Sequence, residues 1–154
     1  VARFITPVTS AAALAVDTAF AAVVSTNVRA RIRRIIIGTV AGTSSVADQQ
    51  LVVGVNRASA RGTATTTLTP GKLDDGTAAA AITGIDTVWS GAPTLAAQDL
   101  FRVPFNAKSG VDLPFELLEE LWVPAAVATP IVLVNRNNAL PASTSYVVSI
   151  ETEE

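Results

Sequence analysis

The chain has no cysteine and no histidine among its 154 residues. Without cysteine there is no disulfide, no thiolate nucleophile and no zinc–sulfur site, which is compatible with synthesis in a reducing cytoplasm. Without histidine the commonest general base and the commonest transition-metal ligand are missing together. The two absences set aside most enzyme classes, so the expectation is a protein with no catalytic residues, no metal and no cofactor. Aromatic residues make up 5% and charged residues 16%, the latter well below the usual quarter. The surface is therefore built largely from Thr, Ser, Ala and Asn, which suits burial against neighbours. Long hydrophobic runs are scarce too. The one stretch that resembles a targeting segment, residues 11–24, is interrupted by Asp17 and preceded by Arg3 alone, so neither a signal peptide nor a membrane partner is expected.

What is present is aliphatic. Hydrophobic residues reach 49% and are mostly Ala, Val, Leu and Ile, side chains that favour a thin, close-packed sandwich. The length suits one domain, 1–154, able to bury a core without staples. A net charge of -2 and a pI near 5.1 argue against nucleic acid as a partner. The charges are clustered: Arg29, Arg31, Arg33 and Arg34 lie together, as do Glu116, Glu119 and Glu120, and Glu151, Glu153 and Glu154. Complementary groups could meet within one fold or between copies of it.

Turn residues recur at short intervals and no helical period is sustained. Arg29, Arg31 and Arg33 alternate with Val28, Ala30 and Ile32 before an apolar Ile35-Ile36-Ile37 run, which reads as a strand entering the core. Strict alternation would put Arg34 on the Ile32 face, and a bulge near Arg33 would instead keep it in water. Residues 38–45 read as a loop; 50–56, 65–69, 82–89, 100–105, 131–134 and 145–151 read as strands bounded by turn chemistry such as Pro70-Gly71. Residues 11–24 admit helix or strand, with strand preferred, and 117–122 one helical turn. The expected fold is all-β: a single antiparallel β-sandwich, jelly-roll-like. Residues 1–10 are expected to form an extended arm. Phe4, Ile5 and Val8 are apolar and Pro7 blocks helix, so the arm would add as a strand to a neighbour.

Candidate chemistry is thin. Glu119 and Glu120 are adjacent in sequence, which does not place two carboxylates across a cleft. Asp74-Asp75 before Gly76 fits a plain turn better than a calcium loop, which needs several oxygen ligands at fixed spacing. Ser and Thr are abundant, but without His a nucleophilic dyad would need a Lys, and Lys72 and Lys108 lie in polar loops. Trp89, Trp122 and Tyr146 are either a sugar-stacking platform or ordinary core packing. Arg29, Arg31 and Arg33 are either an electrostatic contact for an acidic partner or a strand face with local ion pairs. Asn135, Arg136 and Asn137, with Asn138, form a polar tip suited to a partner, or simply a turn that tolerates left-handed geometry.

Residues 31–38, residues 87–95 around Trp89, residues 110–120, the Asn138-Ala139-Leu140-Pro141 turn and the glutamate-rich end together resemble small virion proteins of tailed bacteriophages. More narrowly, they resemble the capsid decoration, or cement, type. The resemblance implies a β-sandwich, self-association as a homotrimer, the major capsid protein as partner, a place on the outer surface of the capsid after synthesis in the host cytoplasm, and no chemistry. The alternative is a carbohydrate- or receptor-binding module, or a minor tail protein, of a phage particle.

Overall fold

Short β-branched runs separated by Gly, Pro and Asn produce strands joined by tight connections. The structure, a computed structural model, describes residues 2–154 apart from 43–45, 75, 77 and 117–118, and contains no helix among them. The strands are β1 (Arg3–Thr9), β2 (Ala19–Val24), β3 (Ala30–Ala41), β4 (Gln50–Ala60), β5 (Thr63–Leu68), β6 (Gly71–Lys72), β7 (Gly84–Gly91), β8 (Thr94–Leu95), β9 (Phe101–Asn106), β10 (Val111–Pro114), β11 (Leu121–Val123), β12 (Ile131–Asn135) and β13 (Thr144–Glu153).

Two antiparallel sheets face each other, as expected for an all-β sandwich. The first runs β10-β3-β13-β1-β6, with β11 also on β3; the second runs β5-β7-β2-β12-β4-β8, with β9 also on β4. Pairing is nested from the chain ends inward: β1 with β13, β2 with β12, β3 with β10 and β11, β4 with β8 and β9. Residues 63–91 insert at the innermost turn. There β5 and β7 widen the second sheet, and β6 crosses to the far edge of the first.

Inward side chains of both sheets make one core, with Ile32, Ile35, Ile37, Tyr146 and Val148 against Phe20, Val53, Val55, Phe105 and Leu133. The continuous apolar run on β12 has a specific cause, because that strand is covered on both faces. Ala22, Val24, Val132 and Val134 point away from the main core and form a second cluster with Ala58, closed by Ala19, Trp89 and Leu95. Two inward hydroxyls, on Thr6 and Thr152, are buried without a partner among the described residues. Replacing Thr152 by Val removes a desolvated polar group at nearly constant shape, and should raise unfolding stability in urea by about 1 kcal/mol.

The expected N-terminal arm is instead an integral strand. β1 pairs with β13 over its whole length, from Arg3 opposite Glu153 to Thr9 opposite Val147. Phe4 and Val8 are 1% exposed, because a strand with one face on the core turns alternate residues inward. They are not available to a partner; Ile5 alone of the three faces outward, half-buried. β6 covers β1 only at Phe4 and Ile5. Pro7 sits on the uncovered half, where its missing N–H and fixed φ discourage further strand pairing.

Three local expectations changed. β3 continues through Gly38 to Ala41, because residues 38–41 pair with residues 144–147 of β13. Residues 121–123 are a strand on β3 rather than part of a helical turn, while 117–118 lie outside the described residues. Within 11–24 only the part from Ala19 is strand. A turn precedes it, with left-handed φ of 53° at Ala13 and 61° at Asp17. The bulge at Arg33 is present: Arg34 pairs with Glu151 and Ile32 with Thr152, leaving Arg33 extra and Arg34 exposed.

Candidate functional site

On the outer face of the first sheet the alternation runs polar at one end and apolar at the other. The polar end carries the arginines. Arg31 lies 3.4 Å from Glu120 and 3.5 Å from Glu153, and Arg33 pairs with the same two carboxylates. Arg34 donates to Asp112 from Nε at 2.8 Å, and that hydrogen bond raises the arginine and lowers the carboxylate from their ordinary values. Three of the four clustered arginines thus find carboxylates within one fold. Arg29 is the exception; its guanidinium lies 4.6 Å from the centre of the Trp122 ring, with Arg31 at 4.9 Å. Trp122 is 39% exposed. An indole held open between two arginines has the composition of an interface anchor.

The apolar end is made by Ile36, Val40 and Val147, exposed at 38%, 46% and 38%. They lie diagonally across β3 and β13, because Ile36 pairs with Ser149, Gly38 with Val147 and Val40 with Ser145. Pro7 and Ile5 extend the same face, opposite Ser149 and Glu151. At its centre Gly38 leaves a depression: a Cβ there would meet nothing within 4 Å. The depression opens into a groove of about 640 Å³ walled by Ile36, Val147 and the 107–112 turn.

The polar tip at 135–138 is not a contact surface in the expected sense. Asn135 is fully buried. Its Nδ2 donates to the carbonyls of Leu14, Ala15 and Asn138 at 3.3, 3.1 and 2.8 Å, and its Oδ1 accepts from the Tyr146 hydroxyl at 2.8 Å. Burial pushes the Tyr146 phenol well above its ordinary value. Tyr146→Phe leaves Asn135 Oδ1 unpaired at constant shape and should cost about 1–2 kcal/mol in denaturant unfolding. A change under about 0.3 kcal/mol would mean that the hydroxyl is not part of the clasp. Arg136 reaches inward as well, binding Asp99 at 2.6 Å and Asp17 at 2.7 Å. Only Asn137 and Asn138 of this turn face solvent.

Two carboxylates that do not stand out in the sequence hold the second sheet's outer side together. Asp99 is bound by Arg136, by Arg102 at 2.7 Å and by Asn56 Nδ2 at 2.9 Å. Asp86 is bound by Arg61 at 2.7 and 2.8 Å and by the Thr67 hydroxyl at 2.6 Å. Asp86 left a signal: a carboxylate inside an apolar strand needs a cation. Asp99 left none, being one acid in a polar loop.

The remaining candidates do not assemble. Tyr146 is in the core stacked on Phe20, Trp122 is on the first sheet and Trp89 packs on the second cluster, so the three aromatics form no platform. Glu120 is taken up by arginines and Glu119 is exposed. Asp75 lies outside the described residues, and among these no group of three or more acidic side chains could hold a metal ion. Among the described residues no helix is long and apolar enough to cross a membrane. No protein-family model, curated protein or solved structure matches this chain.

Proposed function

We propose that this protein is a non-enzymatic structural component of a tailed-phage virion, placed on the outer surface of the capsid. It would bind the assembled shell of major capsid protein through the outer face of its first sheet. The supporting observation is that face itself: an apolar strip of Ile36, Val40 and Val147 around the Gly38 depression at one end, and Trp122 with Arg29 at the other. Exposed aliphatic side chains gathered on one face of a charge-poor protein are suited to burial against a partner. A subunit that binds only the assembled shell stabilises it through its binding free energy. The nested strand order supports the same reading by analogy, because we read it as a jelly roll, an architecture recurrent in capsid and lectin domains. Self-association as a trimer would give closed symmetry and avoid open polymers.

The test is the copy number per purified particle of the phage that encodes the chain, by quantitative mass spectrometry. A number comparable to the capsid subunits is expected; a handful of copies would move the protein to the tail, and absence would end the reading. Gly38→Lys tests the face, since it places a charge in open space on an apolar patch. Stability should change by less than about 0.5 kcal/mol, while shell binding weakens about tenfold or more. Unchanged occupancy of the variant on shells would exclude this face.

A further inference from the structure

A second concavity, of about 370 Å³, opens where the two hydrophobic clusters approach each other. Leu14 and Phe20 on its wall belong to the main core, and Trp89 and Leu95 pack on the second cluster. Protein interiors leave few gaps wider than a water molecule, and this one falls in the size range of small-molecule sites. Its wall is held in shape. The turn that carries Leu14 and Asp17 has left-handed φ at Ala13 and Asp17, a conformation costly for residues with a side chain. Asn135 pins that turn through the Leu14 and Ala15 carbonyls.

The lining chemistry narrows the occupant. Thr9, Thr18 and Thr87 line the cavity, and their hydroxyls make no hydrogen bond to any described residue, which leaves them free to pair with a ligand. The one carboxylate on the wall, Asp17, is neutralised by Arg136 at 2.7 Å. The walls therefore offer an indole, aliphatic surface and three unengaged hydroxyls, with no net charge.

We propose that this cavity binds a neutral sugar ring. A pyranose presents a C–H face that packs on aromatic and aliphatic walls, and a rim of hydroxyls that can pair with threonines. A purely apolar molecule would strip water from three hydroxyls without replacing its hydrogen bonds, and a charged one would find its counter-ion already paired. The inference is independent of the capsid reading, since it uses neither the first sheet's outer face nor Trp122.

The experiment is a ¹H–¹⁵N titration of the full chain, following the two indole N–H signals, with Trp122 as the internal control. Glucose, galactose and N-acetylglucosamine are the neutral probes, and indole is the apolar one. At least one sugar should shift the Trp89 signal saturably and leave Trp122 unmoved. Thr87→Val should weaken that binding about threefold to tenfold at unchanged melting temperature. Ala92→Trp, which adds bulk at the exposed rim of the cavity, should abolish it. Binding of indole but of no sugar, no shift at Trp89 with any probe, or full-strength sugar binding by Thr87→Val would each overturn the proposal.

Discussion

Deletion of residues 1–10 should leave no cooperatively folded protein. β1 fills the first sheet between β13 and β6, and its removal strips β13 of the partner that it meets from Val147 to Glu153. It also removes Phe4 and Val8 from the interior. Single substitutions give the same answer in measurable form, since truncating a buried phenylalanine typically costs about 3–5 kcal/mol. Phe4→Ala should approach that figure in urea unfolding, whereas Ile5→Ala, on the outer face, should cost far less. A truncated chain that still melts in one sharp transition, with native near-ultraviolet circular dichroism, would return the segment to the role of a detachable arm.

Asp99→Ala should be the most damaging polar substitution, at about 3–5 kcal/mol, the range for breaking a buried pair from one side. The Asp99 side chain is 3% exposed beneath Arg136. Gly54 exists to make room for the pair, since a Cβ there would lie 2.7 Å from Asp99 Oδ2 and 2.8 Å from Arg136 Cγ. Burial pushes the Asp99 carboxyl up, but hydrogen bonds from Arg136, Asn56 and Arg102 outweigh it and hold the group below its ordinary value. A carboxylate depressed in the folded state contributes stability that is fully present above its unfolded pKa, about 3.9. That contribution fades as pH falls through the lower folded value. The stability gap between the parent chain and Asp99→Asn should therefore be widest near neutrality and shrink as the pH is taken toward about 2. A gap independent of pH would show that the carboxylate's charge contributes nothing.

Much of the architecture was legible in the chain. Period-two alternation marked β3, the apolar run marked β12, and Asn, Gly and Pro marked most turns, because strand faces and turn conformations are local requirements that residue types reveal. The bulge at Arg33 could be anticipated as well, since a guanidinium forced onto the Ile32 face would need a buried carboxylate. Site residues were legible only in part. Arg31 and Arg33 stood out by clustering, but their partners, Glu120 just before β11 and Glu153 on β13, lie about 90 or more positions away. Asn135 read as part of an exposed tip because Asn is common in turns. Only the fold shows that its amide faces three carbonyls and a phenol in the interior.

Fold class is a local property of this chain: small aliphatic residues punctuated by turns form sheets because alternating side chains can bury one face of a strand. The choice of residues that alternate is local too. Which strands would be neighbours was decided by tertiary structure alone, because nested pairing joins segments at opposite ends of the chain, as in β1 with β13 and β2 with β12. The same long-range closure turned the N-terminal segment from a free arm into an integral strand. It buried Asn135 and Asp99, left Ile36 and Val147 uncovered, and opened a cavity between residues about 80 positions apart, such as Leu14 and Leu95.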